Sequence, residues 1–223
     1  MGARMEPTIY KPSIYKGAGI YKGAAGGGGG GGDELGVKIL NKWYRIIKAN
    51  NLYWLAEDLR ADIPGITYDG PANGASYRIY DEYTTNFLAF GCLYTWHCIQ
   101  IIQNYLDLNN EGWRVPSTDD YIKLFDTVGG QNNCNLALQK KNEPWFNWWA
   151  GNSQTDEIGF SKGGSGFYEN GWYSIRAVGY AWTSNEVNSR ASKMAAFRDN
   201  TLSVPFENES KNRFLSIRLC KDA

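Results

Sequence analysis

A single histidine, His97, leaves this 223-residue chain without a second imidazole to help complete a zinc tetrahedron. Its four cysteines, Cys92, Cys98, Cys134 and Cys220, are few for this length and form no C-x-x-C pair, so reduced, buried thiols are expected rather than a disulfide framework. No run approaches the roughly 18 to 20 apolar residues of a spanning helix, and no membrane insertion is expected. The opening MGARMEPTIY has one early arginine but no apolar stretch, unlike a Sec leader, and Glu6 stands where a myristoylation motif needs Ser or Thr. Synthesis in the cytoplasm is therefore expected. Net charge is wanting too: Lys+Arg and Asp+Glu each number 23, with residues 1–32 at +3 and the remainder at −3. An acidic body gives phosphates no neutralising surface, so nucleic acid is not expected as a partner.

What the chain has in quantity is aromatic residues and glycine: nine Trp, fifteen Tyr and 26 Gly against seven Pro. That mixture describes a loop-rich domain of aromatic surfaces joined by tight turns, common to sugar-binding folds and to ordinary cores. WYRIIKANNLYWL (43–55) places two short apolar runs around Ala49-Asn50-Asn51, a hairpin pattern. Residues 61–75 read as loop. In YTWHCIQIIQNYL (94–106), Trp96, Ile99, Ile102 and Leu106 fall at helical spacing. A second helix is predicted in RVPSTDDYIKLFDTVGG: Ser117 or Thr118 caps it, Asp119 and Asp120 favour its positive end, Ile122, Leu124 and Phe125 form the buried side, and Gly129-Gly130 end it. Beyond Asn142, short aromatic pieces punctuated by Gly, Asn and Ser read as strands. The expected class is α+β, with helices early and strands late.

The blocks YWLAEDLR (53–60), GCLYTWHC (91–98), GWRVPSTDDY (112–121), Gly159-Phe160, YAWTSNE (180–186) and LSIRLCKD (215–222) resemble, in order, the Fibrobacter succinogenes major paralogous domain. The resemblance runs from about Trp43 onward and excludes the tail. It implies a C-type-lectin-like domain over residues 33–223, with two helices and a mainly antiparallel, irregular sheet, related to formylglycine-generating enzymes. Physically the blocks maintain a scaffold. Trp113 packs beneath a helix start set by Pro116, Trp182 is a buried anchor ahead of small polar residues, and Arg218 either alternates outward or pairs with a buried carboxylate such as Glu57.

Candidate chemistry is sparse. His97 and Cys98 adjoin but point about 100° apart on a helix, so they make no catalytic pair. Cys134 and Cys220 lie in no context like the paired-cysteine centre of the formylglycine-generating relatives, so no enzymatic activity and no cofactor are expected. NEPW (142–145) inverts the Glu-Pro-Asn order of calcium-dependent lectins, leaving Asn142, Glu143, Asp156 and Glu157 as thin calcium candidates and no metal expected. In lectin-like folds the ligand face is built late in the chain. Here that stretch offers Tyr168, Asn170, Trp172, Tyr173, Arg176, Asn185, Asn188 and Arg190, with Arg198 and Asn200 nearby, residue types that give rigid aromatic area and adaptable polar contacts. Ordinary surface loops are the competing reading.

The tail says Ile-Tyr-Lys three times, at Ile9-Tyr10, Ile14-Tyr15 and Ile20-Tyr21. Spacings of five and six fit no heptad, and each copy is an extended piece that needs a partner: its own copies, a groove, or a sheet edge. Residues 1–25 are read as an anchor and oligomerisation tail, and the glycines at 26–32 as a flexible linker of about 14 Å r.m.s. span. Anchor, swivel and lectin-like head describe a bacteriophage virion protein, a tail or head fibre or decoration component. It would be a homotrimer, assembled in the host cytoplasm on other virion proteins, with a head that attaches to a bacterial surface glycan or protein. A host-encoded module at the bacterial cell surface or secreted, or a formylglycine-generating-type oxidase, is the alternative.

Overall fold

The computed structural model describes residues 21–23, 34–40, 42–80, 90–110, 112–141, 154–198 and 201–223. A five-stranded sheet has the order β1-β2-β3-β4-β13, from β1 (Tyr21–Gly23), β2 (Glu34–Ile39), β3 (Lys42–Ala49), β4 (Leu52–Leu55) and β13 (Cys220–Asp222). Its neighbours are all antiparallel. The β3–β4 hairpin forms where the sequence predicts it: Ala49 faces Leu52, and Asn50 takes a left-handed φ of 54° that asparagine tolerates. The last strand, β13, pairs with β4 in the register Cys220 to Trp54.

A smaller sheet follows from β5 (Thr67–Tyr68), β6 (Ser76–Ile79) and β7 (Cys92–Tyr94). A 3-10 turn at Trp96–Cys98 then leads into helix α1 (Ile99–Asn109), which buries Ile99, Ile102 and Leu106 on one face. Helix α2 (Thr118–Asp126) begins at a complete capping box. Ser117 Oγ accepts from the Asp120 amide, and the Asp120 carboxylate accepts from the Ser117 amide. Its buried side is Tyr121, Leu124 and Phe125, while Ile122, expected inside, is 40% exposed. A short α3 (Asn135–Leu138) precedes the hairpin of β8 (Phe167–Tyr168) and β9 (Trp172–Tyr173). The final sheet is β10 (Val178–Glu186), β11 (Ala191–Arg198) and β12 (Phe206–Ser210). None of the helices among the described residues is long and apolar enough to cross a membrane.

The expectation of an α+β, C-type-lectin-like body with two helices is overturned: among the described residues strand residues far outnumber helical residues, so the fold is β-rich. Strands also precede the helices as well as following them. The helices are short, and α1 and α2 each bury an apolar face in a different core, both built mainly by strands. Apolar residues of all the sheets but β8–β9, with Trp113 and Trp182, fill one buried cluster; Trp54, Tyr121, Phe125, Phe160 and Phe197 anchor a second. Trp182 is fully buried and donates its indole N–H to the Tyr94 carbonyl at 2.8 Å.

Between the cores lies a buried ion cluster. Asp58 accepts from Lys162 Nζ at 2.6 Å and from Arg218 Nε at 2.7 Å, with all three side chains at most 3% exposed. Lys162 also donates to Ser216 Oγ at 2.8 Å, and Arg218 to the carbonyls of Leu55, Phe160 and Ser161. Burial would raise the Asp58 carboxyl, but Lys162 and Arg218 hold it below the usual range. Burial outweighs Asp58 at Lys162 and lowers that amine to about 8. Arg218 thus has a buried carboxylate, but it is Asp58; Glu57 instead accepts from the Arg45 amide at 3.1 Å. The four cysteines are free and buried.

Candidate functional site

The β8–β9 hairpin turns through Glu169-Asn170-Gly171, with Asn170 at φ 55° and the Glu169 amide donating to the Gly171 carbonyl at 3.0 Å. Gly166, at φ 62°, lets the hairpin fold back closely: a Cβ there would lie 2.3 Å from the Tyr173 carbonyl oxygen. Tyr168 and Phe214 exchange backbone hydrogen bonds at 3.1 Å, which joins the hairpin to the segment after β12.

Aromatic packing carries this join across the surface. Ring centroids run Phe90–Tyr80 at 6.0 Å, Tyr80–Trp172 at 5.0 Å, Trp172–Tyr168 at 5.2 Å and Tyr168–Phe214 at 5.5 Å, all near edge-to-face. Arg78 of β6 lays its guanidinium 4.3 Å from the Tyr168 ring centre and 4.9 Å from that of Phe214. It also pairs with Asp69 and donates to the Gly70 carbonyl at 3.3 Å.

Arg78, Tyr168 and Phe214 form the floor of a cleft of ≈ 340 Å³, whose rim is Ala72, Glu169, Asn170, Ser210 and Asn212. The 210–213 turn is internally fixed, with the Arg213 amide donating to the Ser210 carbonyl at 3.0 Å. Asn212 Oδ1 lies 3.0 Å from His97 Nε2, so the single histidine braces the rim. Arg213 bridges Glu169 and Glu209 and lies 4.6 Å over the Phe167 ring. Each charge at the cleft therefore has an opposite partner: Arg78 with Asp69, Glu169 with Arg213. What faces a ligand is amide, hydroxyl, ring and two ion-paired charges, suited to a neutral polyhydroxylated molecule and poorly suited to a polyanion.

Of the residues expected from sequence, Tyr168 and Asn170 line this cleft. Trp172 supports Tyr168 from behind; Tyr173, 49% exposed, stacks on Phe167 at 5.2 Å. Arg176 follows the hairpin at φ 70°, its amide donating to the Gly164 carbonyl. Asn185 Oδ1 accepts from the Thr118 amide at 2.7 Å and serves the start of α2. Asn188 Oδ1 accepts from the amides of Arg190 and Ala191, both at 2.9 Å, and closes the β10–β11 turn. Arg190 is exposed at that turn, its carbonyl accepting from Lys211 beside the cleft rim. Arg198 forms a two-pronged pair with Glu207 at 2.7 Å.

Asn142, Glu143 and Asn200 lie outside the described residues, as do Ile9, Tyr10, Ile14, Tyr15 and Ile20; Tyr21 begins β1. Among the described residues no group of three or more His, Cys, Asp or Glu could hold a metal ion. Sequence reasoning missed Arg78, Ser210, Asn212 and Phe214. The one available signal was the polar run Asn208 to Arg213 just before the last apolar block.

Comparison with curated proteins and with solved structures finds no match. The model of the Fibrobacter succinogenes major domain matches residues 47–221, more than half of the chain and most of what the structure describes. This chain therefore belongs to the Fibrobacter succinogenes major domain family.

Proposed function

We propose that this chain is a non-enzymatic structural protein of a bacteriophage virion, a tail or head fibre or decoration component, whose body binds a bacterial surface glycan or protein. The observation that carries the binding reading is the charge-compensated cleft between Tyr168, Asn170, Asn212 and Phe214. Sugar hydroxyls need donors and acceptors together, which amides supply, and an apolar sugar face gains contact against a ring. The virion setting rests on the layout of a repeat-bearing tail, a glycine tether and a binding body. The tail then joins other virion proteins, and the chain assembles as a homotrimer. Oxidase chemistry draws no support from the thiols: Cys134 and Cys220 are buried, and burial pushes both up, Cys134 to about 12, away from the thiolate such chemistry uses.

The test is attachment to host cells by Asn170→Gly/Asn212→Ala, which removes two rim amides and keeps a residue that tolerates φ 55°. Attachment should weaken at least about tenfold, or about 1.4 kcal/mol, with the melting temperature unchanged and EDTA without effect. Unaltered attachment refutes the cleft, and loss with EDTA alone transfers the site to calcium near Glu143. Absence of the polypeptide from purified particles, by mass spectrometry, refutes the virion setting.

A further inference from the structure

Strand β2 is the outermost strand of the body, and the strand that covers its outer edge comes from the tail. Tyr21 faces Gly36, Lys22 faces Leu35 and Gly23 faces Glu34. The covering segment is the third Ile-Tyr-Lys copy. Without it, β2 would present unpaired amides and carbonyls, a ready template for another strand. At Gly36, opposite Tyr21, a Cβ would fall 2.2 Å from the Trp43 ring, so the indole of the inner neighbour β3, 44% exposed, lies over the face of β2 at the docked position.

Two features make the pairing exchangeable. Gly23 and Glu34 are direct partners, yet residues 24–33 stand between them, seven of them in the glycine run 26–32. A hairpin needs about two to five residues, so a ten-residue connection does not by itself tie Gly23 to the Glu34 of its own chain. The second repeat, moreover, reproduces the docked sequence: Tyr15-Lys16-Gly17 matches Tyr21-Lys22-Gly23, while the first repeat has Pro12 at the third position and lacks that amide. Each chain thus carries the Tyr-Lys-Gly sequence twice and one β2 edge.

We infer that the β2 edge is a docking site for Tyr-Lys-Gly strands and that in the assembled protein its occupant comes from a second copy of this chain. Exchange of an identical element between copies preserves every pairing seen within one chain and links the copies without a new interface. The inference deepens the assembly reading of the tail and is independent of what the cleft binds.

Two full-length single variants, Lys22→Cys and Leu35→Cys, are mixed at tens of micromolar and oxidised gently. A disulfide-linked species of twice the 25.0 kDa chain mass, joined through the two introduced thiols by mass spectrometry, is expected, and Lys16→Cys should replace Lys22→Cys in the mixture. The double variant Lys22→Cys/Leu35→Cys checks the register. Closure of its disulfide only within one chain, with no product from the mixture, overturns the exchange. No disulfide in either experiment overturns the docking site, as does capture of the Lys22→Cys thiol solely by a different virion protein.

Discussion

Asp58→Asn should be among the most damaging conservative substitutions in this protein. The amide keeps the volume of the carboxylate but leaves Lys162 and Arg218, 2.6 and 2.7 Å from its oxygens, facing each other in a site closed to water. Removing one partner of a buried pair costs about 3–5 kcal/mol. For a chain of this size each kcal/mol moves Tm by about 2–4 °C, so calorimetry at pH 7 should show a fall on the order of 6–20 °C. Glu57→Gln is the control one residue away: its pair with Arg45 is 3.7 Å long and about a third exposed, and the change should stay below about 1 kcal/mol. Lys162→Met should cost less than Asp58→Asn, because Asp58 and Arg218 remain as a neutral pair.

The pH dependence has a definite sign. Between about 8, where the buried lysine titrates, and 10.5, its ordinary value, the unfolded chain holds more of this proton than the folded one. Stability from this residue therefore rises with pH across that window, and wild type should gain on Lys162→Met between pH 7.5 and 9.5. An Asp58→Asn protein within about 1 kcal/mol of wild type, or a wild-type advantage that shrinks with pH, would refute this account of the cluster.

Burial raises Cys98 to about 11 and Cys92 and Cys134 to about 12, so their contribution is complete below pH 9 and is lost as pH climbs toward those values. In the Lys162→Met background, where the lysine cannot mask it, the urea midpoint should fall from pH 8.5 to 10.5. Ser117→Ala removes the capping box of α2 and should lower stability by about 1 kcal/mol in denaturant titration; Asn185→Ala, which strips the Thr118 amide of its acceptor, should do the same. Gly166→Ala meets the Tyr173 carbonyl at 2.3 Å as well as an adverse φ, whereas Gly130→Ala, at φ 82°, meets nothing within 4 Å. Gly130→Ala should therefore cost about 1–2 kcal/mol and Gly166→Ala clearly more, with loss of cleft binding as the β8–β9 hairpin shifts.

Elements whose physics is local were readable from the chain. The Asn50-Asn51 turn, the Ser117 cap and the Ile99, Ile102, Leu106 face each depend on residues within a few positions of one another, and each is found. The fold class was misjudged because β2 and β12 carry charged or polar residues in strands of five or six, too short and too polar for alternation to declare them. The pairing partner of Arg218 was missed by one residue, since only the tertiary fold decides whether Glu57 or Asp58 points inward. The cleft was half legible: Tyr168 and Asn170 announce themselves as a hairpin, but Arg78 and Asn212 reach it from elements far away in sequence. Asn185 and Asn188 show why composition misleads, because an asparagine suited to a ligand is equally suited to a helix start or a tight turn.

The position of β13 also sets the timing of biosynthesis. Asp58 and Arg218 lie 160 residues apart, and β13 closes the edge of β4 only when that distance has been translated. At 5–20 residues per second the growing chain carries an open β4 edge and an Asp58 still lacking Arg218 for roughly ten to thirty seconds after they emerge. The five-stranded sheet is thus a late product of synthesis, and a ribosome pause in the stretch before β13 would lengthen the interval in which nascent chains can pair with one another.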